Sequence, residues 1–162
     1  PLRGPFPIPE RFMMNKTPSE MVAVVGNIDP DAYAQSTVTT GEYIPLKNFR
    51  RFMAIIQAGD IVSTGTIDAK LITYTDGSGT GPADVTGSAI TQLTQAGTDS
   101  NKQVVINFDP SKLAGGTMTH FKLSVTMGTA GADLSAVVLG LNPLYGPASD
   151  NDATTVDEIV TA

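Results

Sequence analysis

The stretch from residue 49 to residue 76, FRRFMAIIQAGDIVSTGTIDAKLITYTD, constrains the fold more than any other part of the chain. Residues 52–56 are all apolar, and a run this short is typical of a strand covered on both faces rather than of a globular helix. Residues 67–73 alternate instead, because successive strand side chains point to opposite faces. The stretch therefore predicts two β-strands joined by a turn at residues 58–60, which together set an all-β core.

Apolar and polar residues also alternate in residues 103–108 and 118–127. This alternation is typical of strands that are buried on one face. The inward side chains predicted for these three alternating strands are Ile67, Ala69 and Leu71, then Val104, Ile106 and Phe108, then Phe121, Leu123, Val125 and Met127. The opposite face of the last strand carries His120, Lys122, Ser124 and Thr126, and we expect it to be wet.

The remaining pattern consists of short strand-like segments between turn residues. Residues 134–141 are apolar on both faces, as a central or an interface strand would be. Further strands are predicted at residues 21–25, 36–40, 42–46 and 85–95, with a turn at 27–31 and with 36–40 and 42–46 paired around Gly41. Pro45 indicates an edge position, because proline lacks the N–H that a central strand donates. About eight strands with short turns favour a two-sheet β-sandwich, and among sandwiches we choose a jelly roll.

The two ends depart from this pattern, so we divide the chain into an arm (1–18), a β-sandwich domain (19–146) and an acidic tail (147–162). The arm holds five prolines, which favour extended backbone, and it is too apolar for a solvated linker. We expect it to lie against its own domain or against a neighbouring subunit. The tail is either solvated or an arm on a basic neighbour. Candidate contact residues are Leu2, Arg3, Phe6, Ile8, Arg11 and Phe12 in the arm and Leu144 and Tyr145 before the tail.

Charge and composition exclude several classes of partner. The net charge is -6, whereas a dedicated nucleic-acid binder needs clustered Lys and Arg, so we expect no direct contact with nucleic acid. No apolar run reaches the roughly 18 residues of a membrane helix, and no signal pattern is present, so we expect no membrane partner and no Sec export. The absence of cysteine excludes disulfides and thiolate sites.

The candidate chemical motifs fail on spacing. The glycine-rich segment 76–84 is not a phosphate loop, since Pro82 follows its last glycine, and it is not a calcium loop, since its twelfth position is Gly87. It predicts a mobile hairpin tip. The single histidine, His120, is about 13 Å along the strand from Ser124, which argues against a Ser/His/Asp triad. We therefore expect no enzymatic activity, no cofactor and no metal.

Four segments of the chain are similar to a known group of proteins. They are residues 67–76, 90–96, 103–108 and 134–146, and the last of them ends in Tyr145-Gly146, just before Pro147. Together these segments resemble small structural proteins found among the virion genes of tailed bacteriophages. The resemblance spans about residues 42–150 and covers the proline-rich arm least. It implies a cement or decoration subunit of the phage head with a jelly-roll or related β-sandwich, and it brings no active-site residues with it.

These observations lead to one hypothesis about function and one alternative. We predict a non-enzymatic phage virion structural protein on the capsid exterior, made in the host bacterial cytoplasm, which binds the major capsid protein and forms a homodimer or homotrimer. The alternative is a receptor- or carbohydrate-binding module of a tail or head fibre, which usually exposes aromatic side chains to stack on sugar rings. The chain has no Trp and four Tyr, which favours the cement hypothesis.

Overall fold

The computed structural model describes residues 16–161, and within this range the chain is built almost wholly from β-strands. A short helix, α1 (Pro18–Met21), precedes ten strands. The strands are β1 (Val22–Tyr33), β2 (Ser36–Thr39), β3 (Ile44–Pro45), β4 (Phe49–Ile61), β5 (Thr66–Tyr74), β6 (Ala83–Asp84), β7 (Leu93–Thr94), β8 (Gln103–Phe108), β9 (His120–Gly128) and β10 (Ala132–Pro143). Short 3-10 turns occur at Leu46–Asn48, Pro110–Lys112 and Ala148–Asn151.

The strands form two antiparallel sheets. The first has the order β1-β10-β4-β8, and the second has the order β2-β9-β5-β6, with β3 also paired to β9 and β7 also paired to β5. Since β2 and β3 share one strand position and β6 and β7 share another, each sheet has four positions, and the chain crosses between the sheets after β1, β3, β4, β7, β8 and β9. This is the jelly roll that the sequence predicts, with β4 and β5 in opposite sheets.

The core lies between the sheets and confirms the predicted alternation. Ile67, Ala69 and Leu71 are at most 4% exposed, the inward residues of β9 are at most 1% exposed, and Ile106 and Phe108 are 6% exposed. The centre of the core is a group of phenylalanine rings from both sheets, in which Phe121 of β9 packs edge-on against Phe52 of β4. Period-two burial against one shared core therefore holds the two sheets together.

The turn predicted at residues 58–60 is wrong, because β4 runs through them. Two residues of β4, Gly59 and Asp60, face the single residue Asp133 of β10, which is a β-bulge. A Cβ on Gly59 would lie 2.9 Å from the Cβ of Asp133, so glycine lets the strands approach. Glycine and aspartate therefore mark a bulge here, and the chain reverses at residues 62–65 instead.

The turn predicted at residues 27–31 is also wrong, since β1 continues to Tyr33. The register with β10 shifts between Ile28 and Asp31, so the turn-forming residues are absorbed in an irregularity of the strand. Because β1 lies at the edge of its sheet, the missing N–H of Pro30 costs no hydrogen bond to a neighbouring strand.

The predicted pairing around Gly41 is wrong in its partner. Both segments pair with β9 rather than with each other, and the second is reduced to the two residues of β3. The edge position inferred from Pro45 is confirmed, because β3 pairs only with β9. The residues around Gly41 do not indicate that both segments pair with β9, a strand far along the chain.

The strand predicted at residues 85–95 is wrong for most of its length, because only β7 is strand there. The segment follows β5 with widely spaced bonds, such as the one from the Val85 N–H to the Leu71 carbonyl (3.0 Å). The Ser88 hydroxyl accepts from the Leu71 N–H (3.0 Å), where a strand would have offered a carbonyl. Gly87 adopts a φ of 78°, which a strand does not allow. Isolated backbone hydrogen bonds and a side-chain hydrogen bond thus connect this segment to β5, in place of the regular hydrogen-bond ladder of a strand.

Thr40 provides a test of the core. Its side chain is 0% exposed, and its hydroxyl has no hydrogen-bond partner among residues 16–161. An unpartnered buried polar group costs about 1–3 kcal/mol. We expect Thr40→Val, which removes the hydroxyl and keeps the shape, to raise the free energy of unfolding by about 1 kcal/mol.

Urea unfolding of the two proteins at one pH measures this difference. Thr37→Val is the matched control, because the Thr37 hydroxyl shares a 2.9 Å hydrogen bond with the Thr126 hydroxyl on an exposed face, and removing it is expected to bring no gain. A loss of stability in Thr40→Val would show that the buried hydroxyl has a partner after all, such as a trapped water.

Candidate functional site

The outer face of the first sheet is apolar along its middle, although it faces away from the second sheet. β4 and β10 are central strands, as predicted, and the outward side chains at the middle of both strands are apolar and only partly exposed. The expectation that residues 52–56 are covered on both faces is therefore wrong for their outer face within residues 16–161. A sheet with one core face usually alternates apolar and polar residues, so this face departs from the rule. We call it the apolar face and define it as Val22, Val24, Met53, Ile55, Val105, Val137, Leu139 and Leu141.

The strand register makes the apolar face continuous. Leu139 of β10 lies between Val24 of β1 and Met53 of β4, and Ile55 pairs with both Val137 and Val105. Opposite residues on one face of a sheet have Cβ atoms about 4.5–5.5 Å apart, so these side chains form one patch. Exposed polar residues border it, namely Arg51, Gln57, Gln103 and Asn107. An apolar patch inside a polar border is typical of a surface that contacts another protein.

One end of the apolar face carries three further exposed apolar side chains. Met21 is 37% exposed, Leu144 39% and Tyr145 80%. Met21 ends α1 just before β1, and the other two follow β10, whose Leu141 pairs with Val22. The predicted contact residues Leu144 and Tyr145 thus follow the end of β10 that carries Leu141 of the apolar face. The other predicted contact residues, Leu2, Arg3, Phe6, Ile8, Arg11 and Phe12, lie outside the described residues.

The first residues of the tail close the free edge of β1. The Asp152 carboxylate accepts a hydrogen bond from the Val24 N–H (2.7 Å), and the Ala153 N–H donates to the Val24 carbonyl (2.6 Å). Next to them the Thr155 hydroxyl donates to the Asn27 side chain (2.9 Å). This part of the tail therefore packs on its own domain, whereas the sequence predicts a solvated tail or an arm on a basic neighbour.

The outer face of the second sheet is polar and carries His120. His120 Nδ1 shares a 2.7 Å hydrogen bond with the Thr119 hydroxyl. The Lys122 ammonium lies 4.1 Å from the centre of the Tyr43 ring, which also packs edge-on against Tyr74 at 4.9 Å between ring centres. Burial, together with neighbouring Tyr43, raises the pKa of Tyr74. Cation–π contact occupies one face of the Tyr43 ring, so that face is not free for a ligand.

No catalytic arrangement accompanies His120 in the described part of the chain. Ser124 is only 5% exposed, so the prediction that the whole outer face of β9 is wet is wrong at this position. Ser124 pairs with Thr39 on one side and Lys70 on the other, which shields it. Among residues 16–161 no three His, Asp or Glu side chains lie close enough to hold a metal ion.

The glycine-rich segment forms the hairpin tip between β5 and β6, as predicted from its composition. The Asp76 carboxylate accepts hydrogen bonds from the N–H groups of Ser78 (2.8 Å) and Thr80 (3.0 Å). Hydrogen bonds from Thr80 and then Ser78 hold the pKa of Asp76 below its ordinary value. These N–H groups already bind an anion of the chain itself, so they do not form a phosphate cradle.

A cleft of about 840 Å³ opens between the sheets at one end of the sandwich. Its charged lining residues are Arg51, Asp84, Asp109 and Lys112. Asp84 forms an ion pair with Lys70 (2.7 Å), and Asp109 accepts from the N–H (3.0 Å) and the hydroxyl (2.7 Å) of Ser111. Hydrogen bonds from Ser111 hold the pKa of Asp109 below its ordinary value. Both carboxylates thus have structural partners, which leaves the apolar face as the stronger candidate site.

Comparisons with known proteins add little to this picture. No protein-family model matches the chain, and no curated protein sequence matches it. Among solved structures, the chain is similar to the cryo-EM atomic structure of broad bean stain virus, with 12% sequence identity, a TM-score of 0.41, and coverage of 84% of this chain and 93% of that chain. A likeness this weak carries no argument about function. In residues 16–161 no helix has the length and apolar character needed to cross a membrane.

Proposed function

We propose that the protein is a non-enzymatic structural subunit of a bacteriophage virion, a cement or decoration protein that binds the assembled capsid shell from outside. The observation that carries the proposal is the apolar face, whose central strands expose apolar side chains away from the core. Support also comes from the resemblance of residues 42–150 to small phage virion proteins and from the jelly roll itself, although a fold alone does not define a function.

Burial of the apolar face supplies the energy of attachment. Fully burying one Val, Leu, Ile or Met side chain is worth about 1.5–3 kcal/mol, and the partly exposed side chains of this face recover a fraction of that before the costs of association. A protein that binds the assembled shell but not free coat subunits stabilises the shell by mass action. Attachment through the apolar face would therefore make the assembled shell more resistant to disruption, which is the role of a cement protein.

The arm adds a second contact in this proposal. The Glu20 carboxylate accepts from the Thr17 N–H (2.7 Å) and hydroxyl (3.1 Å), and this fixes the start of α1. α1 leads directly into Val22 at the corner of the apolar face, so the arm joins the domain at the end of the first sheet where β10 ends. We propose that Leu2, Phe6, Ile8 and Phe12 bind a neighbouring coat subunit, with Arg3 and Arg11 attracted to acidic groups on it.

Binding to heads that lack the protein tests the proposal. We expect Leu139→Glu, in the middle of the apolar face, to reduce head occupancy at a fixed concentration by about tenfold or more, because an unpaired carboxylate would be buried in the contact. Ile72→Glu is the matched control, since Ile72 is a partly exposed aliphatic residue on the outer face of the second sheet, opposite Lys122. We expect this control to bind as the unmodified protein does.

Circular dichroism first confirms that each variant folds, and occupancy is then read from gels of purified heads. Equal binding of Leu139→Glu and the unmodified protein would overturn attachment through the apolar face. A chain without residues 1–15 measures the share of the arm in the same assay, and undiminished binding of that chain would refute the proposed arm contact while leaving the face in place.

The receptor- or carbohydrate-binding alternative has less support. Lys122 covers one face of the Tyr43 ring, and the Tyr33 hydroxyl donates to the Asp29 carbonyl (2.9 Å) within its own strand. Tyr145, 80% exposed, is the tyrosine that stands most open, and it lies beside an apolar patch rather than in a polar groove suited to sugars. This arrangement favours contact with protein.

A further inference from the structure

The edges of the two sheets differ in how well they are protected. An edge strand presents unpaired N–H and C=O groups, and proteins usually guard it with short strands, bulges, prolines or charges. β1 has two register shifts, contains Pro30, and is covered at Val24 by Asp152 and Ala153. β2 is four residues long, β3 ends at Pro45, and β6 and β7 have two residues each. Three of the four edges in the described part of the chain are thus blunted.

β8 forms the fourth edge and has none of these guards. It pairs with β4 over six residues without a register shift, and its sequence QVVINF contains no charge, proline or glycine. Its outward side chains Gln103, Val105 and Asn107 are exposed, and Val105 is 49% exposed. Val105 also belongs to the apolar face through its pairing with Ile55. An edge of this kind, without a bulge, a charge or a proline, is suited to pairing with another strand.

The charges at the two ends of β8 indicate which strand would pair with it. Lys102 precedes the strand and Asp109 follows it. When two copies of β8 run antiparallel about Val105, the start of one meets the end of the other, so Lys102 lies opposite Phe108 of the second copy and one residue away from its Asp109. A parallel pair would instead place like charges side by side, which is unfavourable. The strand is therefore complementary to itself in the antiparallel direction.

We propose that β8 pairs antiparallel with β8 of a second copy about a two-fold axis, which joins the two four-stranded sheets into one sheet of eight strands. Opposite residues of an antiparallel pair point to the same face, so outward residues must meet outward residues. Val105 is the middle one of the three outward residues, so we place the two-fold axis there. Val105 then lies opposite Val105 of the second copy, and Gln103 lies opposite Asn107. The two apolar faces then form one surface of double width, and the interface is isologous.

Sedimentation of the isolated full chain over a range of concentrations tests the dimer without any capsid. The unmodified protein is expected to sediment as a dimer. Val105→Lys is expected to raise the dissociation constant by about tenfold or more, since it sets two like charges opposite each other. Val62→Lys is the matched control, because Val62 is 57% exposed and lies just after β4, away from β8. A monomer at all concentrations, or a Val105→Lys dimer as tight as the control, would overturn the proposal.

Cysteine cross-linking tests the register, and the chain has no cysteine of its own to interfere. Val105→Cys is expected to form a covalent dimer on mild oxidation, whereas Val62→Cys is not. A mixture of Gln103→Cys and Asn107→Cys chains is expected to cross-link as a heterodimer, and Gln103→Cys alone is not. Cross-linking of Gln103→Cys with itself would indicate a parallel pair and refute the model. Cross-linking of Val105→Cys only after removal of residues 1–15 would show that the arm covers β8, which would refute it as well.

Discussion

Replacing Phe121 with alanine is expected to lower the free energy of unfolding by about 3–5 kcal/mol, a large share of the stability of a single domain. Phe121 is 0% exposed, and its ring centre lies 4.7 Å from that of Phe52 and 5.2 Å from that of Phe108. Phe121 belongs to the second sheet and its two partners to the first. The substitution therefore opens a cavity at the contact between the sheets, where neither sheet can close it alone.

Urea unfolding followed by circular dichroism measures this loss. Phe121→Leu is the graded control, since it keeps part of the volume and is expected to cost less than the alanine variant. A loss below about 1 kcal/mol for Phe121→Ala would contradict the central place of this ring between the sheets.

Gly140→Ala is expected to lower the free energy of unfolding by about 1–3 kcal/mol, although it adds only one methyl group. Gly140 is buried on the core side of β10, and a Cβ there would lie 2.6 Å from the nearest atom of the Phe49 ring. Phe49 is 2% exposed and packs edge-on against Phe52, with ring centres 5.8 Å apart. The ring therefore has no free space into which it can withdraw.

Gly41→Ala is the matched control for this substitution. A Cβ on Gly41 meets nothing within 4 Å, and the residue is exposed, so the same added methyl group is expected to change stability little. Both variants are compared by thermal and urea unfolding. Equal stability of the two variants would show that the Phe49 ring moves aside without cost.

The strands that could be predicted from sequence are those with one face on the core. Residues 67–73 and 103–108 were placed to within a residue or so, because each inward side chain is apolar and each outward one is free to be polar. The errors at residues 27–31 and 58–60 share one cause. Proline, glycine and aspartate occur in β-bulges as well as in turns. Whether such a segment is a bulge or a turn depends here on its pairing with β10, which lies far along the chain.

The candidate site was only partly accessible to sequence reasoning. The continuous apolar runs of β4 and β10 predicted central strands, and that prediction is confirmed, but the same runs did not show that their outward side chains would form one patch with β1 and β8. The clasp between Asp152 and Val24 joins residues 128 positions apart, and no local signal announces it. In the sequence, an acidic tail residue that accepts a hydrogen bond from a backbone N–H looks the same as one that is exposed to solvent.

The place of β10 between β1 and β4 also determines when the protein can fold. A ribosome makes the chain from its N-terminus, so β1, β4 and β8 all emerge before the strand that fills the gap between β1 and β4. Until β10 has been made, the first sheet lacks one of its two central strands, and the tail residue Asp152, which bonds to β1, follows later still. Since contacts between distant segments form slowly, this sheet closes only after β10 has been made, and the facing sides of β1 and β4 stay unpaired until then.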